Sequence, residues 1–414
     1  MRSKVEVAII GAGLAGLNCA RELTKANIDF QIIEATDRVG GRVTSDVVDG
    51  FILDRGFQLY NPSYAEGKRL LDYQALDFKS FTPGIAIRDN KRLRIVVDPF
   101  RSEDFRFNVL KDLPGGITSK LGLLRYFVQN LLQADANIAI SKDISAQEAL
   151  TRTGVKNDLL EKLFRPFLQG VFLESNLDTS RKFLDVVLKT FLRGIPCVPS
   201  QGMKAIPEQI ASKISSENII FNNKVMAITG NTINTEQGSI TAKKIVIATD
   251  PTTAISWLEL PAKTMHAVST WYFKADQEVK NIVKTKPILF VDGQNKGPIT
   301  NAVVMTNAAP SYSANNEVLV SASGISPFLD TKTPDVKHHL AKIFGVDTSK
   351  WELIKKYEIK NALPAMNTPY SLVSSNQISE NLFVAGDHRA TSSTNGSLLS
   401  GRYAAALVKV SLGL

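Results

Sequence analysis

The residues whose types and spacing point to chemistry open the chain. Gly11, Gly13 and Gly16 form Gly-x-Gly-x-x-Gly directly behind a short apolar run, Val5 to Ile10. The first glycine permits a tight strand-to-helix turn. The second lets backbone approach a pyrophosphate, and the third lets the helix pack on the strand. Phosphates held there face a helix N-terminus, whose N–H groups and dipole favour negative charge. Glu34 ends a second apolar run, Phe30 to Ile33. A carboxylate at that point can accept both hydroxyls of a ribose and would repel a 2′-phosphate. A glycine triplet alone is equally the mark of a structural turn; strand, turn, helix and terminal acid in register predict an adenine dinucleotide.

Three further clusters narrow the choice. Asp37-Arg38-Val39-Gly40-Gly41-Arg42 puts two arginines beside a glycine pair close to the expected pyrophosphate, an extension that a nicotinamide-binding fold does not need. Phe51 to Gln58 carries Asp54-Arg55-Gly56-Phe57. Far down the chain, Leu382-Phe383-Val384-Ala385-Gly386-Asp387 precedes Asn395-Gly396-Ser397-Leu398-Leu399-Ser400-Gly401-Arg402.

The elements that must position these clusters are uneven in legibility. Ala15, Cys19, Leu23 and Ala26 share one face of the helix behind the glycines, so the first thirty-odd residues form a β-α-β unit. Residues 118–133 and 145–192 carry helical periodicity, the latter broken at Gly154, Pro166 and Gly170. Glycines and prolines cluster over 194–207, which suggests a crossing between domains. Ile219–Phe221, Val225–Ile228 and Ile245–Ile247 read as strands, 266–324 is strand-like with turns at Asp292-Gly293 and Ala309-Pro310, and a final helix starts near Ser397. The simplest organisation is a nucleotide-binding domain (1–75, 199–258 and 375–414) interrupted twice by a second domain (76–198 and 259–374).

Composition sets the outer bounds. The chain has 414 residues, 44% hydrophobic and 21% charged, with 49 − 40 giving a net charge of +9. These are globular proportions. The basic excess is spread thinly, so no nucleic-acid partner is expected. The two cysteines, Cys19 and Cys197, give no disulfide framework and suit packing in a reducing compartment. No apolar stretch is long enough to span a bilayer, which with the plain N-terminus points to a cytoplasmic protein. No Cys/His spacing suggests a metal, and no Ser/His/Asp nucleophile is detectable.

Taken together, the motifs resemble those of the flavin-containing amine oxidoreductase superfamily, and the middle of the chain resembles its phytoene-dehydrogenase-like and protoporphyrinogen-oxidase-like members. That middle resemblance rests on Phe164-Arg165-Pro166-Phe167-Leu168-Gln169-Gly170-Val171-Phe172 and on Gly202-Met203-Lys204-Ala205-Ile206-Pro207. The resemblance implies an α/β fold: a Rossmann-type FAD-binding domain of the glutathione-reductase-like, amine-oxidase type, interleaved with an α+β substrate-binding domain. It implies non-covalent FAD, since no attachment cysteine stands near the closing motif. Gly11, Gly13, Leu14, Ala15 and Gly16 match the pyrophosphate loop, Glu34 and Ala35 the ribose contact, and Arg38, Gly40, Gly41 and Arg42 the segment beside pyrophosphate and flavin. Gly56 and Phe57 match the turn beneath the isoalloxazine, Val225 the backbone contact to adenine, and Ala248 and Thr249 the Ala-Thr strand end. Gly386 and Asp387 match the ribityl–phosphate contact. Gly396, Ser397 and Leu398 match the helix start whose N–H groups face the flavin N1/O2 edge.

One departure steers the function. Amine oxidases of this type place Trp and Tyr before the last helix as part of a cage for the amine, and the corresponding positions here are Ala390 and Ser393. The expected reaction is therefore dehydrogenation or desaturation of a largely apolar substrate of isoprenoid, polyene or tetrapyrrole type, by hydride transfer to flavin N5, with oxygen or a quinone as acceptor. An amine or amino-acid oxidase with a different cage is the alternative. A flavin-free lipid carrier resembling the Rab GDP-dissociation inhibitors is the other, against which the glycines, Glu34, Arg42 and Asp387 argue. His388 is the candidate for a proton role; Lys204 is expected to be solvated, and His266, His338 and His339 to lie on surface or strand. Leu121, Leu124, Val128, Leu131 and Leu132 form a stripe that either meets a membrane surface, with Lys120 and Arg125 reaching headgroups, or packs on the domain's own core.

Overall fold

Residues 2–102 and 109–414 are described by a computed structural model. The glycine turn joins β1 (Lys4–Ile10) to α1 (Leu14–Lys25), which returns to β2 (Phe30–Ile33), parallel to β1 with Ile10 beside Ile33. β1 is alternately and then continuously buried because its sheet is covered on both faces. Its other neighbour is the long strand Gly238–Ile247, also parallel, and Leu382–Val384 adds in parallel beside Ile245–Ile247. Four parallel strands thus end side by side at Ile10, Ile33, Ile247 and Val384. In open α/β sheets ligands bind outside such carboxyl ends. The antiparallel strands Val225–Thr229 and Thr232–Thr235 and the short Ile219–Ile220 complete seven strands.

A second seven-stranded sheet runs in the order 352–364, 265–275, 318–325, 301–304, 289–292, 84–89, 92–97. Its long central pair, Met265–Ala275 against Glu352–Pro364, is antiparallel. Trp271 and Phe273 pack into a core with the helix Thr333–Phe344, while Tyr272 joins the core of the nucleotide-binding half. Since strand side chains alternate, His266, Val268 and Tyr272 share the face turned toward that half.

Several sequence expectations need correction. Pro166 interrupts the α-helical geometry without ending the helix: residues 158–172 are continuous, with a π-turn over Leu160–Phe164 directly before the α-helix Arg165–Phe172 that carries the proline. Gly170 lies inside the same helix, where a Cβ would stand 2.4 Å from Asn301 Nδ2, so it serves close packing. Within 266–324 the break before Pro310 is longer than a turn, since Met305–Ala308 is helical and Pro310–Tyr312 adds a further helical turn. The last helix begins at Thr394 rather than near Ser397, because Ser393 caps it by accepting from Gly396 N at 3.0 Å. Both cysteines are fully buried, and burial pushes each thiol up to about 12.

Candidate active site

The three glycines of the turn do different work. A Cβ on Gly11 would stand 2.6 Å from Ala248 O, and one on Gly16 only 2.0 Å from Gly11 O, so both are required for the protein's own packing. A Cβ on Gly13 would meet nothing within 4 Å. It would project into open space at the start of α1, where no side chain caps the helix and no acid lies in the first turn. That is a cradle for an anion at a helix N-terminus. Leu14 and Ala15 are buried in the first turn of α1.

Glu34 is fixed against this turn. Its Oε2 accepts from Ala12 N at 2.7 Å, and Oε1 accepts from Thr36 N and Oγ1 at 2.9 and 2.8 Å. Ala35 follows, exposed. The glycine pair folds back over the turn: Gly40 N donates to Ala12 O at 2.9 Å, and a Cβ on Gly41 would lie 3.5 Å from the Gly13 Cα. Gly40 and Gly41 have φ of +108° and +57°, which favour glycine. Arg38 lies at the surface beside Asp37, at 3.1 Å. Arg42 reaches inward instead. Its Nη2 meets Asp387 Oδ1 at 2.6 Å and its Nη1 donates to Ala362 O at 2.8 Å. Ala362 belongs to a two-residue excess in strand 352–364, between the pairs His266–Leu363 and Val268–Ile359. This bulge links the second sheet to the glycine segment.

The Gly56 turn faces the same strands. Gly56 has φ of +89°, and a Cβ there would stand 2.9 Å from Ile359 Cδ1. Val268, buried, pairs with Ile359. Phe57 packs edge-on to Phe81. Beneath the turn lies Asp54, buried, with Oδ1 accepting from Ser45 Oγ (2.6 Å) and Met203 N (2.9 Å) and Oδ2 from Tyr312 OH (2.9 Å). Tyr272 OH donates to Asp54 O at 2.9 Å. Burial pushes this carboxyl up to about 6 despite the donors. Further along the Val268 face, His266 Nε2 lies 3.9 Å from Glu174 Oε2 and has no hydrogen-bond partner among the described residues. Glu174 is itself oriented by Thr179 N, which donates to Oε1 at 2.7 Å. Burial lowers the His266 pKa, opposed in part by Glu174.

The closing motif completes the site. His388 is buried with neither ring nitrogen partnered among the described residues, and a Cβ on Gly386 would stand 2.5 Å from its Nδ1. Burial lowers its pKa to about 4, against the opposing pull of Asp387, so its ring is neutral near pH 7. Lys263 Nζ donates to His388 O at 2.9 Å and stands 5.4 Å from the ring centre of Tyr370. Burial lowers the pKa of Lys263 and of Arg389. Ala390 is buried and its carbonyl receives the Tyr370 hydroxyl at 2.5 Å. The positions where amine oxidases carry their aromatics are thus occupied by a packing residue, Ala390, and a helix cap, Ser393.

The site therefore unites the glycine turn, Glu34, Gly40–Arg42, the Gly56 turn, Ala248 and Asp387. Val225, buried, opens a strand of the same sheet two residues after Asn223, whose N–H donates to Glu34 O at 3.0 Å, and Thr249 follows Ala248 at the strand end. The N–H groups of Gly396 and Ser397 are both engaged by Ser393, at 3.0 and 2.9 Å, and Leu398 is buried with its carbonyl taken by Asn18 Nδ2. Lys204 is half-buried, its backbone N–H donating to Ser45 Oγ. His338 is exposed, and His339 is a packing residue, its Nε2 3.2 Å from Asp292 Oδ2. The pairing of His266 with Glu174 and the burial of Asp54 have no local sequence signal.

An open anion cradle at a helix N-terminus, a fixed acid at the next strand end and the Arg42–Asp387 ion pair beside them define a dinucleotide-binding site. The chain belongs to the flavin-containing amine oxidoreductase family, whose model matches residues 14–409, and it is an FAD-dependent oxidoreductase. It is 43% identical over 72 residues to putrescine oxidase of Kocuria rosea, 17% of this chain and 15% of that one. It is 31% identical over 185 residues to coproporphyrinogen III oxidase of Staphylococcus aureus, 40% of this chain and 36% of that one. The matched stretches thus span well under two thirds of these relatives. A putative protoporphyrinogen oxidase from Exiguobacterium sp. 255-15 shares the fold over 100% of both chains, with a TM-score of 0.71 and 19% identity.

Proposed function

We propose that this protein dehydrogenates or desaturates a largely apolar substrate of isoprenoid, polyene or tetrapyrrole type, with oxygen or a quinone taking the electrons onward. The observation that carries this reading is the face opposite the Gly56 turn, where Val268 and Ile359 present only hydrocarbon. Ala390 and Ser393 add no aromatic wall for an amine. When bound, FAD supplies the acceptor for a hydride from substrate carbon. Gly13 and α1 would hold its phosphates, Glu34 its ribose, and Arg42 with Asp387 its central region. Val268 and Ile359 exclude water from the reacting carbon. His266, held near Glu174, is the group placed to take the proton that leaves beside the hydride. Lys263, Arg42 and Arg389 around the single carboxylate of Asp387 give the closing motif a positive balance that favours an electron-rich reduced cofactor.

Anaerobic bleaching of the bound flavin tests the reading, using porphyrinogens, polyenes and a panel of amines. Porphyrinogen or polyene should bleach it within seconds and amines should not. Rapid bleaching by amines, with peroxide released on admitting air, would reverse the assignment.

A further inference from the structure

The helix Ile117–Leu132 is fastened to the protein without its leucine stripe. Its inner face is Ser119, Gly122, Leu123, Tyr126 and Asn130, all buried. Gly122 presses on a turn, where a Cβ would stand 2.5 Å from Thr153 O. Tyr126 OH donates to Asp185 Oδ1 at 2.5 Å, and Asn130 Nδ2 to Asp185 O at 3.1 Å. These contacts hold the helix on Arg181–Arg193 by close approach and a buried polar anchor. The outer face carries Ile117, Leu121, Leu124, Val128, Leu131 and Leu132, which are between 46% and 81% exposed.

At 3.6 residues per turn the six fall within an arc of about 100°, opposite the docked face, along a strip about 24 Å long. Six large apolar side chains on one strip is far from the scattered exposure of ordinary surfaces. The edges of the arc are cationic: Lys120 borders one side and the exposed Arg125 the other, and no acidic residue occurs in the helix. That arrangement matches an interfacial helix on an anionic surface, with hydrocarbon inserted among acyl chains and cations at phosphate level. It fits a second copy of the same strip less well, since the helix itself supplies no acid to meet Arg125 across an isologous contact. Among the described residues no helix is long and apolar enough to cross a membrane, so the contact is one of lying on the surface.

We propose that the Ile117–Leu132 strip is a docking surface for the anionic face of a lipid bilayer. The proposal stands independently of the substrate assigned above, because its test needs no substrate. FAD-loaded protein is sedimented with vesicles of phosphatidylcholine containing one third phosphatidylglycerol, and with pure phosphatidylcholine, at low and high salt. Wild type should pellet with the anionic vesicles at low salt, and less with neutral vesicles or at high salt. Leu124→Asp with Val128→Asp should keep the melting temperature and flavin content and lower vesicle binding at least tenfold. Arg125→Gln should weaken it about fivefold. Wild type that stays in the supernatant with anionic vesicles at low salt overturns the proposal. So does a wild-type dimer that the double variant converts to monomer, which would assign the strip to a second copy. Should the double variant fail to fold, Arg125→Gln decides: vesicle binding at low salt unchanged from wild type overturns the proposal.

Discussion

Arg42 and Asp387, 345 residues apart in sequence, meet at 2.6 Å and join the glycine segment to the closing motif. The same guanidinium reaches Ala362 O, so one side chain ties both ends of the nucleotide-binding half to the second sheet. Asp387 is nearly buried while Arg42 is about one-third exposed, so the arginine is the partner that solvent can replace.

Removing the arginine should therefore be felt through the acid it leaves behind. Arg42→Ala is expected to lower unfolding free energy by about 2 kcal/mol and to release most of the flavin, because an unpaired, nearly buried carboxylate remains. Arg42→Ala with Asp387→Asn should recover part of the stability and none of the flavin. A double-mutant cycle in urea with flavin absorbance recorded alongside checks both; additive losses would mean that the pair is not coupled.

The glycine turn offers a sharper contrast. Gly13→Val should leave flavin-free protein as stable as flavin-free wild type, since the added carbons enter open space, yet abolish flavin binding. Gly16→Ala should fail earlier, at the level of folded yield, because its Cβ overlaps Gly11 O at 2.0 Å. Thermal melting and flavin titration of the two variants side by side separate a ligand-facing glycine from a packing glycine.

His388 should make the fold sensitive to acid. Its folded pKa is lowered from 6.5 to about 4, so its contribution is complete above pH 6.5 and is lost as pH falls through about 4. The shift corresponds to about 3 kcal/mol. His388→Phe, which keeps a ring and has nothing to titrate, should leave Asp54 unopposed, so that stability falls as pH rises over that window in urea titrations at successive pH values.

Asp54 works in the opposite sense. Its pKa is raised from 3.8 to about 6, so its contribution is complete below pH 3.8 and is lost as pH rises through about 6. Wild type should consequently show a nearly flat profile between pH 4 and 6 in which the two groups offset one another. Asp54→Asn can keep the bonds from Ser45 and Met203 and let Tyr312 accept instead of donate. It should gain stability relative to wild type as pH rises toward neutrality, whereas Asp54→Ala should lose about 1–3 kcal/mol near pH 4 by stranding three buried donors, a deficit that narrows as pH rises.

These contrasts show what the sequence could carry. The β-α-β unit and both terminal motifs were legible because each is local: a period of two, then 3.6, with glycines at fixed offsets. Strand 352–364 was not, since the excess residue at Ile354 shifts its alternation against 265–275 and the two-residue excess at 360–362 interrupts the pairing again. The proline marks an irregularity without saying which kind: the helix passes Pro166 by widening into a π-turn over Leu160–Phe164 and does not stop there. His266 and Glu174 are brought together only by the pairing of elements nearly a hundred residues apart, and Asp54 looks like a turn aspartate until three distant donors converge on it. The exposure of the Leu124 stripe was equally hidden, since its periodicity fits either face of the helix.

The arrangement of the last helix has a consequence for how the protein is made. Thr394–Ser411 packs on α1, with Gly401 so close that a Cβ would stand 2.1 Å from Ala15 O, and Leu382–Val384 supplies the strand beside Ile245–Ile247. Gly13 leaves the ribosome first and must wait for these elements. At roughly 5–20 residues per second that interval is about 20–80 s. Throughout it the flank of α1 that Gly401 meets lacks its partner, so flavin capture is expected only after the Thr394–Ser411 helix has been made.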